Sequence, residues 1–345
     1  MKTIRVVFRA SVGLAILCAG FGFASHERVA EGRTPAPSAN FVLIAHGGAG
    51  DYRKLSAEQM ASKTAAMTAA VEAGYEILAR GGTSLDAVET TIRSLENSGD
   101  FDAGRGAYYT RDGVPELDAA IMDGQTLNAG AVAAVKRIAN PISLARLVME
   151  KTPHVLLVGD GAEEFAKSQG VALVSPFYFY NHQEWARYQE LKTQAERKKS
   201  SQLAETPIHG TVGVVALDSA GNLAAGTSTG GTTFKMPGRV GDSPLIGAGT
   251  YANNDSCGIS GTGVGEYFIR NVVAADICAR VRYLHESLQQ AANDVVMKEL
   301  VAQHGEGGII GIDRHGEVAD VFNSNGMMRV VVRADGKIAI KVFNQ

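Results

Sequence analysis

Residues 209–231 read HGTVGVVALDSAGNLAAGTSTGG. The run begins abruptly, after a charged stretch, with two apolar segments on either side of the polar turn SAGN. Short apolar runs bounded by turn residues read as paired, buried strands. The same 23 letters also offer two nucleophiles of different kinds. GTSTG at 226–230 fits the G-x-S-x-G elbow of serine hydrolases and would make Ser228 the attacking group. Gly210–Thr211 instead places a threonine at the first position of a buried strand.

The serine reading needs a helix directly after the serine, because an elbow is a sharp turn from strand to helix. The residues after GTSTG are GTTFKMPG, with β-branched threonines, a proline and two glycines, and no helix begins there. HGGAG at 46–50 resembles the oxyanion loop of esterases. Five-letter glycine patterns arise easily, however, in a chain with 40 glycines. A serine esterase using Ser228 therefore stays a remote alternative.

A threonine hydroxyl is a weak nucleophile unless a base lies beside it. A chain terminus supplies that base from the same residue, since an α-amine with a pKa of about 7.7–8.0 is partly neutral near physiological pH. For Thr211 this requires cleavage of the Gly210–Thr211 bond. NHQEWARYQELKTQAERKKSSQLAE, just upstream, reads as a solvated helix running into a mobile charged linker over about 182–209. Cleavage there would free Thr211 at little structural cost.

The rest of the chain is consistent with antiparallel sheets packed with helices. FVLIAHGGAG reads as a buried strand entering a glycine turn, and Ser56 with Gln59 forms a capping box for a helix ending near Gly81. Helices are expected from about Ser84 to Glu96, over PISLARLVMEK and AEEFAKSQG, and in segments between 264 and 303. Hairpins are expected around the DG of AYYTRDGVPELDAAIMDG and in GGIIGIDRHGEVADVF and MRVVVRADGKIAIKVF. Strand–helix–strand alternation is weak, which disfavours a doubly wound parallel sheet.

The first 24 residues carry Lys2, Arg5 and Arg9, then an apolar run ending in G-F-A before Ser25. This is the pattern of a secretory signal peptide, and Ala10 to Ala24 is short for a membrane span of roughly 20 residues. Cys18 follows the bulky Leu17, which argues against lipoprotein processing. Cleavage near Ala24 and export, to the bacterial periplasm, are expected, with no stable membrane anchor afterwards. Removal of the segment takes the net charge from −3 to −6. An acidic mature chain gives no support for nucleic-acid binding. Without HExxH or CxxC the sequence offers no transition-metal site. Cys257 and Cys278 read as two small buried residues, their redox state open.

Five stretches, in this order and spacing, carry a resemblance: HGGAG at 46–50, GTVGVVALD at 210–218, TSTGG at 227–231, PGRVGDSP at 237–244 and SGTGVGE at 260–266. From about Phe41 to the C-terminus the chain resembles the plant-type asparaginase and isoaspartyl-dipeptidase family of N-terminal nucleophile hydrolases. The resemblance implies an α+β fold, an αββα sandwich of two mainly antiparallel sheets between helix layers. It also implies self-cleavage into an α subunit (25–210) and a β subunit (211–345) that share one folded domain, and a dimer of such αβ heterodimers.

The roles carried over are specific. Thr211 matches the nucleophile, and Thr229 the second threonine that bonds it and assists maturation. Arg239 and Asp242 match the pair that grips the substrate's α-carboxylate and α-amino group, as a guanidinium fork and an ammonium acceptor do. Thr262 and Gly263 match an oxyanion hole. In FDAGRG (101–106) the family usually has asparagine where this chain has Asp102, and Ser98-Gly99 replace its usual proline-containing turn. The loop from Leu95 to Gly104 often surrounds a structural sodium held by backbone carbonyls, which this chain leaves open. A charged Asp102 beside the amine would favour its protonated form.

The expected reaction is hydrolysis of the side-chain amide of L-asparagine, or of the isopeptide bond of a β-aspartyl dipeptide, through an acyl-enzyme on Thr211. No organic cofactor is required. Alternatives inside the superfamily are a glycosylasparaginase-like enzyme and a threonine endopeptidase. A non-catalytic periplasmic amino-acid-binding protein would also use Arg239 and Asp242, but has no need of a Gly–Thr junction.

Overall fold

In the computed structural model, residues 41–198 and 210–344 are described. The segments expected as a signal peptide (1–24) and leader (25–40), and residues 199–209 of the expected linker, lie outside them. The opening stretch forms β5 (Val212–Leu217) and β6 (Leu223–Thr229), paired antiparallel from Val212 opposite Ser228 to Leu217 opposite Leu223. Asp218 builds the turn: its Oδ1 accepts from the N–H groups of Ala220 and Asn222, each at 3.0 Å. Its Oδ2 accepts from Ser84 N–H at the start of α2 (Ser84–Ser98), where a carboxylate suits the exposed helix donors.

This hairpin is the middle of an eight-stranded sheet. The other strands are β1 (Val42–Ala49), β2 (Leu117–Asp123), β3 (Ala129–Val135), β4 (Leu156–Val158), β11 (Met327–Arg333) and β12 (Ala339–Lys341). Their order is β12-β11-β1-β5-β6-β2-β3-β4, antiparallel except for β3 with β4. A second, four-stranded antiparallel sheet has the order β10-β9-β8-β7. It is formed by β7 (Thr250–Ala252), β8 (Cys257–Gly263), β9 (Gly307–Asp313) and β10 (Val318–Phe322). In the large sheet β1 lies between β11 and β5, and β2 lies beside β6.

Alternation along the strands sorts the side chains into layers. Leu43, Ala45, Val212, Val214 and Ala216 face α1 (Ala57–Ala79), α2 and α3 (Pro141–Lys151), packing with Met67, Val88, Ile92 and Leu144. The next residues along, Val42, Ile44, Val215 and Leu217, face the second sheet and meet Ile310, Ile312 and Phe322. The outer face of that sheet packs through Ile259 and Ile309 on α6 (Gly265–Asn271), α7 (Val273–Ala279) and α8 (Leu288–Asn293), with Phe268, Ile277 and Leu288. Helices, sheet, sheet, helices: the αββα sandwich is realised. The Ser56–Gln59 capping box closes in both directions, at 3.1 and 2.9 Å.

Three readings change. The DG turn makes only an isolated bridge, Tyr109 with Pro115; the paired strands come later, as β2 and β3. Residues 182–198, expected as a solvated helix running into the linker, are helical throughout as α5 (His182–Lys198), following α4 (Gly159–Ser168), and the helix is packed on one side rather than solvated all round. Trp185, Tyr188, Leu191 and Ala195 recur at helical spacing and pack on Tyr109 and Phe234. Trp185 and Tyr109 meet edge to face at 5.2 Å. A composition dominated by charge concealed that stripe. Finally, Cys257 and Cys278 are not separate residues but a disulfide, with Cα atoms 5.5 Å apart.

The disulfide ties β8 to α7 across 21 residues. A loop of that size corresponds to about 3 kcal/mol of stabilisation through the unfolded state. The double variant Cys257→Ala/Cys278→Ala is expected to unfold in urea with a free energy lower by about that amount; an unchanged midpoint would show that the bond adds nothing.

Candidate active site

At one end of the sandwich the layer between the sheets stops being apolar. Past Val42 and Ile44 on β1 comes His46, before Val215 on β5 come Gly213 and Thr211, and after Ala225 on β6 come Thr227 and Thr229. Ser260 and Thr262 on β8 face them from the second sheet. All of these side chains but Gly213's missing one are polar, and all are buried.

Val212 pairs with Ser228, so one step further along the ladder Thr211 stands opposite Thr229. Their hydroxyls are 3.0 Å apart, with Thr211 donating. Thr229 Oγ1 also accepts from Gly231 N–H at 2.9 Å, and its own hydrogen points to Asp102 Oδ2 at 3.5 Å. The chain of donors therefore runs from Thr211 towards Asp102. Asp102 touches the neighbouring peptide too: its N–H donates to the Gly210 carbonyl at 3.1 Å. A Cβ on Gly210 would stand 2.4 Å from the Asp102 Cβ, so only glycine fits before the threonine. Burial pushes the Asp102 carboxyl up to about 8, against the opposing pull of Tyr108 N–H and Lys235.

Thr262 Oγ1 accepts from Ala49 N–H at 3.1 Å. That bond leaves its own hydrogen free to be donated, as an oxyanion donor requires. HGGAG thus orients the threonine rather than supplying donors to a serine. Gly263 has φ +149, a conformation reserved for glycine, and a Cβ there would strike the Glu306 carbonyl at 2.4 Å.

Arg239 and Asp242 sit close together. A Cβ placed on Gly265 would lie 2.7 Å from Asp242 Oδ1 and 3.1 Å from Arg239 Nη2. Arg239 is held by a residue absent from the sequence-based site, Glu266, through two bonds of 3.0 Å from Nε and Nη2. Such a fork fixes the plane of the guanidinium. Asp242 is walled by Gly249, Gly261 and Gly265; its Oδ2 is buried without a hydrogen-bond partner, and burial raises its carboxyl to about 6. A buried acceptor left open invites a donor from a ligand.

Ser228 faces the other way. One residue out of step with Thr227 and Thr229, it points into the helix layer and donates to Glu96 Oε1 at 2.7 Å. Glu96 also accepts from Ile142 N–H at the start of α3 and from Asn140. Its hydroxyl is thus committed to a structural carboxylate on the far side of the sheet from the polar layer, which ends the esterase alternative.

Further polar residues carry no motif. Lys235 is fully buried, donates to the Glu116 carbonyl at 2.9 Å and lies 3.8 Å from Asp118, whose backbone pairs with Thr229. Its charge lowers the carboxyls of Asp102 and Asp118 against the upward push of burial. A lone lysine between TSTGG and PGRVGDSP gives little warning of this; the one signal is its position amid apolar and glycine residues. Beyond Asp102 and Tyr108 a cleft of about 780 Å³ opens to the surface, bounded by Lys63, Glu184, Arg187 and Glu306.

Among the described residues no group of three or more His, Cys, Asp or Glu could hold a metal ion. Backbone oxygens are another matter. Glycines at 104 and 106 lack the Cβ atoms that would strike the carbonyls of Glu96 at 2.4 Å and of Phe101 at 2.1 Å. Backbone carbonyls are the kind of hard donor an alkali cation takes.

Comparison with known proteins identifies the family of the chain. The sequence model of the family described as Asparaginase matches residues 39–342. An isoaspartyl peptidase of Salmonella typhimurium is 51% identical over 296 residues, covering 84% of this chain and 94% of its own length. One from Escherichia coli is 49% identical, covering 84% and 91%. A Bos taurus protein named isoaspartyl peptidase/L-asparaginase is 40% identical, covering 87% and 95%.

Proposed function

The chain belongs to the Asparaginase family, and from that premise we propose that it is a self-processing threonine hydrolase of L-asparagine and β-aspartyl dipeptides. The observation that carries this reading is Thr211, behind a glycine that admits no side chain, with its hydroxyl 3.0 Å from Thr229 at the polar end of the sandwich. In the uncleaved chain the Thr211 nitrogen is an amide and has no basic lone pair. Maturation moves the Gly210 acyl group from that nitrogen to Oγ1: the Oγ1–C bond forms, the C–N bond breaks, and the nitrogen takes the proton that Oγ1 gives up. Water then splits the ester, leaving Gly210 as a carboxylate and Thr211 as an α-amine. The Asp102 N–H on the Gly210 carbonyl assists by stabilising the developing oxyanion.

Turnover repeats the attack on a substrate. Arg239 takes the α-carboxylate, Asp242 the α-ammonium, and the side-chain carbonyl meets Thr211 Oγ1, whose proton passes to the new amine. Thr262 and Gly263 stabilise the oxyanion. Ammonia or an amino acid leaves with that proton, and water releases aspartate. The names of the relatives, isoaspartyl peptidase in two and isoaspartyl peptidase/L-asparaginase in the third, favour this reading over a glycosylasparaginase-like enzyme or an endopeptidase. The Gly–Thr junction favours it over a simple binder.

Intact-mass analysis tests it. The wild-type protein is expected as two fragments divided between Gly210 and Thr211. Thr211→Ala should remain whole and inactive. Thr229→Ala should cleave slowly, and Ser228→Ala should cleave and retain activity. A single active chain in Thr211→Ala would sink the reading.

Two buried carboxyls set the pH dependence. Asp242 attracts the substrate ammonium only when ionised, so KM for L-asparagine should rise as pH falls through about 6. Asp242→Asn should have a high KM that no longer varies with pH. Burial keeps the Asp102 carboxyl neutral below about pH 8, so Asp102→Asn should leave the acid limb of the rate profile in place and change it only above that pH, where the wild-type carboxylate favours the protonated amine. Superimposable profiles would remove Asp102 from the site's electrostatics.

Three further proposals accompany this one. Pairing of two αβ units is supported by the apolar side chains exposed at Tyr283, Leu284, Met297 and Val301; a solution mass of one unit would reject it. A structural sodium in the 95–104 loop is supported by the resemblance to the family and by the close approach of Gly104 to the Glu96 carbonyl, and equal melting in sodium and choline chloride would reject it. Export to the bacterial periplasm is supported by the Cys257–Cys278 disulfide, which persists in oxidising compartments. An exported pool that still begins at Met1 would count against signal cleavage near Ala24.

A further inference from the structure

Four buried side chains join strands of both sheets directly beneath the site. His46 of β1 lies 3.2 Å from Ser260 Oγ of β8, and Ser260 Oγ lies 2.7 Å from Thr227 Oγ1 of β6. Thr250 of β7 donates to Thr227 Oγ1 at 2.7 Å and lies 3.0 Å from the Ser243 carbonyl. Thr227 Oγ1 also lies 3.2 Å from the Gly249 carbonyl. All four side chains are fully shielded from solvent. His46 Nδ1 accepts from Gly48 N–H at 3.2 Å, which puts the ring proton on Nε2, facing Ser260. Burial holds the imidazole neutral, its pKa down at about 3, against the smaller upward pull of the Thr211 backbone. The space for this contact comes from Gly213: a Cβ there would lie 1.9 Å from Ser260 Oγ and 2.3 Å from His46 Nε2.

None of these groups faces the substrate, yet each is tied to one that does. Thr227 precedes Thr229 by two residues on the same face of β6, and Ser260 precedes Thr262 by two on β8. Ser243 follows Asp242 in sequence, and Gly249 N–H donates to the Asp242 carbonyl at 3.1 Å. His46 stands opposite Gly213, two residues after Thr211 on the same face of its strand. Hydroxyls joined at 2.7 Å are directional and stiff where apolar contacts would allow sliding.

We infer that His46, Ser260, Thr227 and Thr250 form a positioning network that sets the distance between the Thr211 nucleophile, the Thr262 oxyanion donor and the Asp242 anchor. These are positioning residues, acting through the groups that touch substrate. The inference rests on the function proposed above. Its signature is a split between kinetic constants: substrate is still gripped by Arg239 and Asp242, but its carbonyl no longer meets the nucleophile.

The test is Thr227→Val, which keeps the shape and removes the central hydroxyl, beside Thr227→Ser, which keeps the hydroxyl. Rates are expressed per cleaved site, counted by intact mass, so that poor folding does not imitate poor catalysis. Thr227→Val is expected to lose kcat by roughly 10- to 100-fold, as misplacement on the order of an ångström does, with KM nearly unchanged. Thr227→Ser should recover most of the loss. If Thr227→Val fails to accumulate, Ser260→Ala removes the neighbouring hydroxyl at the cost of only a small cavity, and the same split is expected. A variant that melts earlier but keeps wild-type kcat per cleaved site overturns the inference, leaving the hydroxyls as core packing. A wild-type protein that stays uncleaved and hydrolyses neither substrate refutes the proposed function instead, a result visible before any variant is made.

Discussion

The hydrogen bond from Thr211 to Thr229 exists because two strands are in register and in phase. Successive residues on a strand point to opposite faces, so a slip of one residue between β5 and β6 would exchange the site for the helix layer. In the actual register, Thr211, Thr227 and Thr229 share the space between the sheets while Ser228 turns away to Glu96. The apolar part of the same layer, Val215 and Leu217 against Ile310 and Ile312, pins the phase hydrophobically. Chemistry at one end of the hairpin is thus secured by packing at the other.

Within this frame, missing side chains matter as much as those present. Gly210 lets the peptide before the nucleophile lie against Asp102, and Gly213 admits the His46 ring to the Ser260 hydroxyl. Around Asp242 three glycines make room for a carboxylate that has one oxygen unpartnered. These gaps permit buried polar groups to approach at hydrogen-bond distance, where a methyl would exclude them. The same burial that raises the carboxyls of Asp102 and Asp242 leaves them responsive to any charge brought close.

The strands and their turns are legible in the sequence because alternation and turn chemistry are local. GTVGVVALD-SAGN-LAAGTSTGG announces a hairpin without any help from the rest of the chain. The candidate nucleophile is legible for a similar reason, since a charged stretch, a glycine and a threonine stand side by side in the sequence. The hidden parts depend on partners far away in sequence: His46 and Ser260 are 214 residues apart, and Glu266 lies 27 from Arg239. The disulfide escapes a reading of the sequence because two cysteines state no pairing until β8 and α7 are in place. The packed stripe of helix α5 escapes in part because its few aromatic anchors, Trp185 and Tyr188, are outweighed by charges on its exposed side.

The order of strands in the large sheet bears on what a break between Gly210 and Thr211 would do. Read across the sheet, β12 and β11 come from after that bond, β1 from before it, β5 and β6 from after, and β2, β3 and β4 from before. Three ladders of main-chain hydrogen bonds therefore stitch one piece to the other, and β1 is gripped along both of its edges. Neither piece could be withdrawn without unzipping the centre of the sheet. Covalent continuity at this point is mechanically redundant: the protein can acquire a new chain end in its interior while its architecture stays that of a single body.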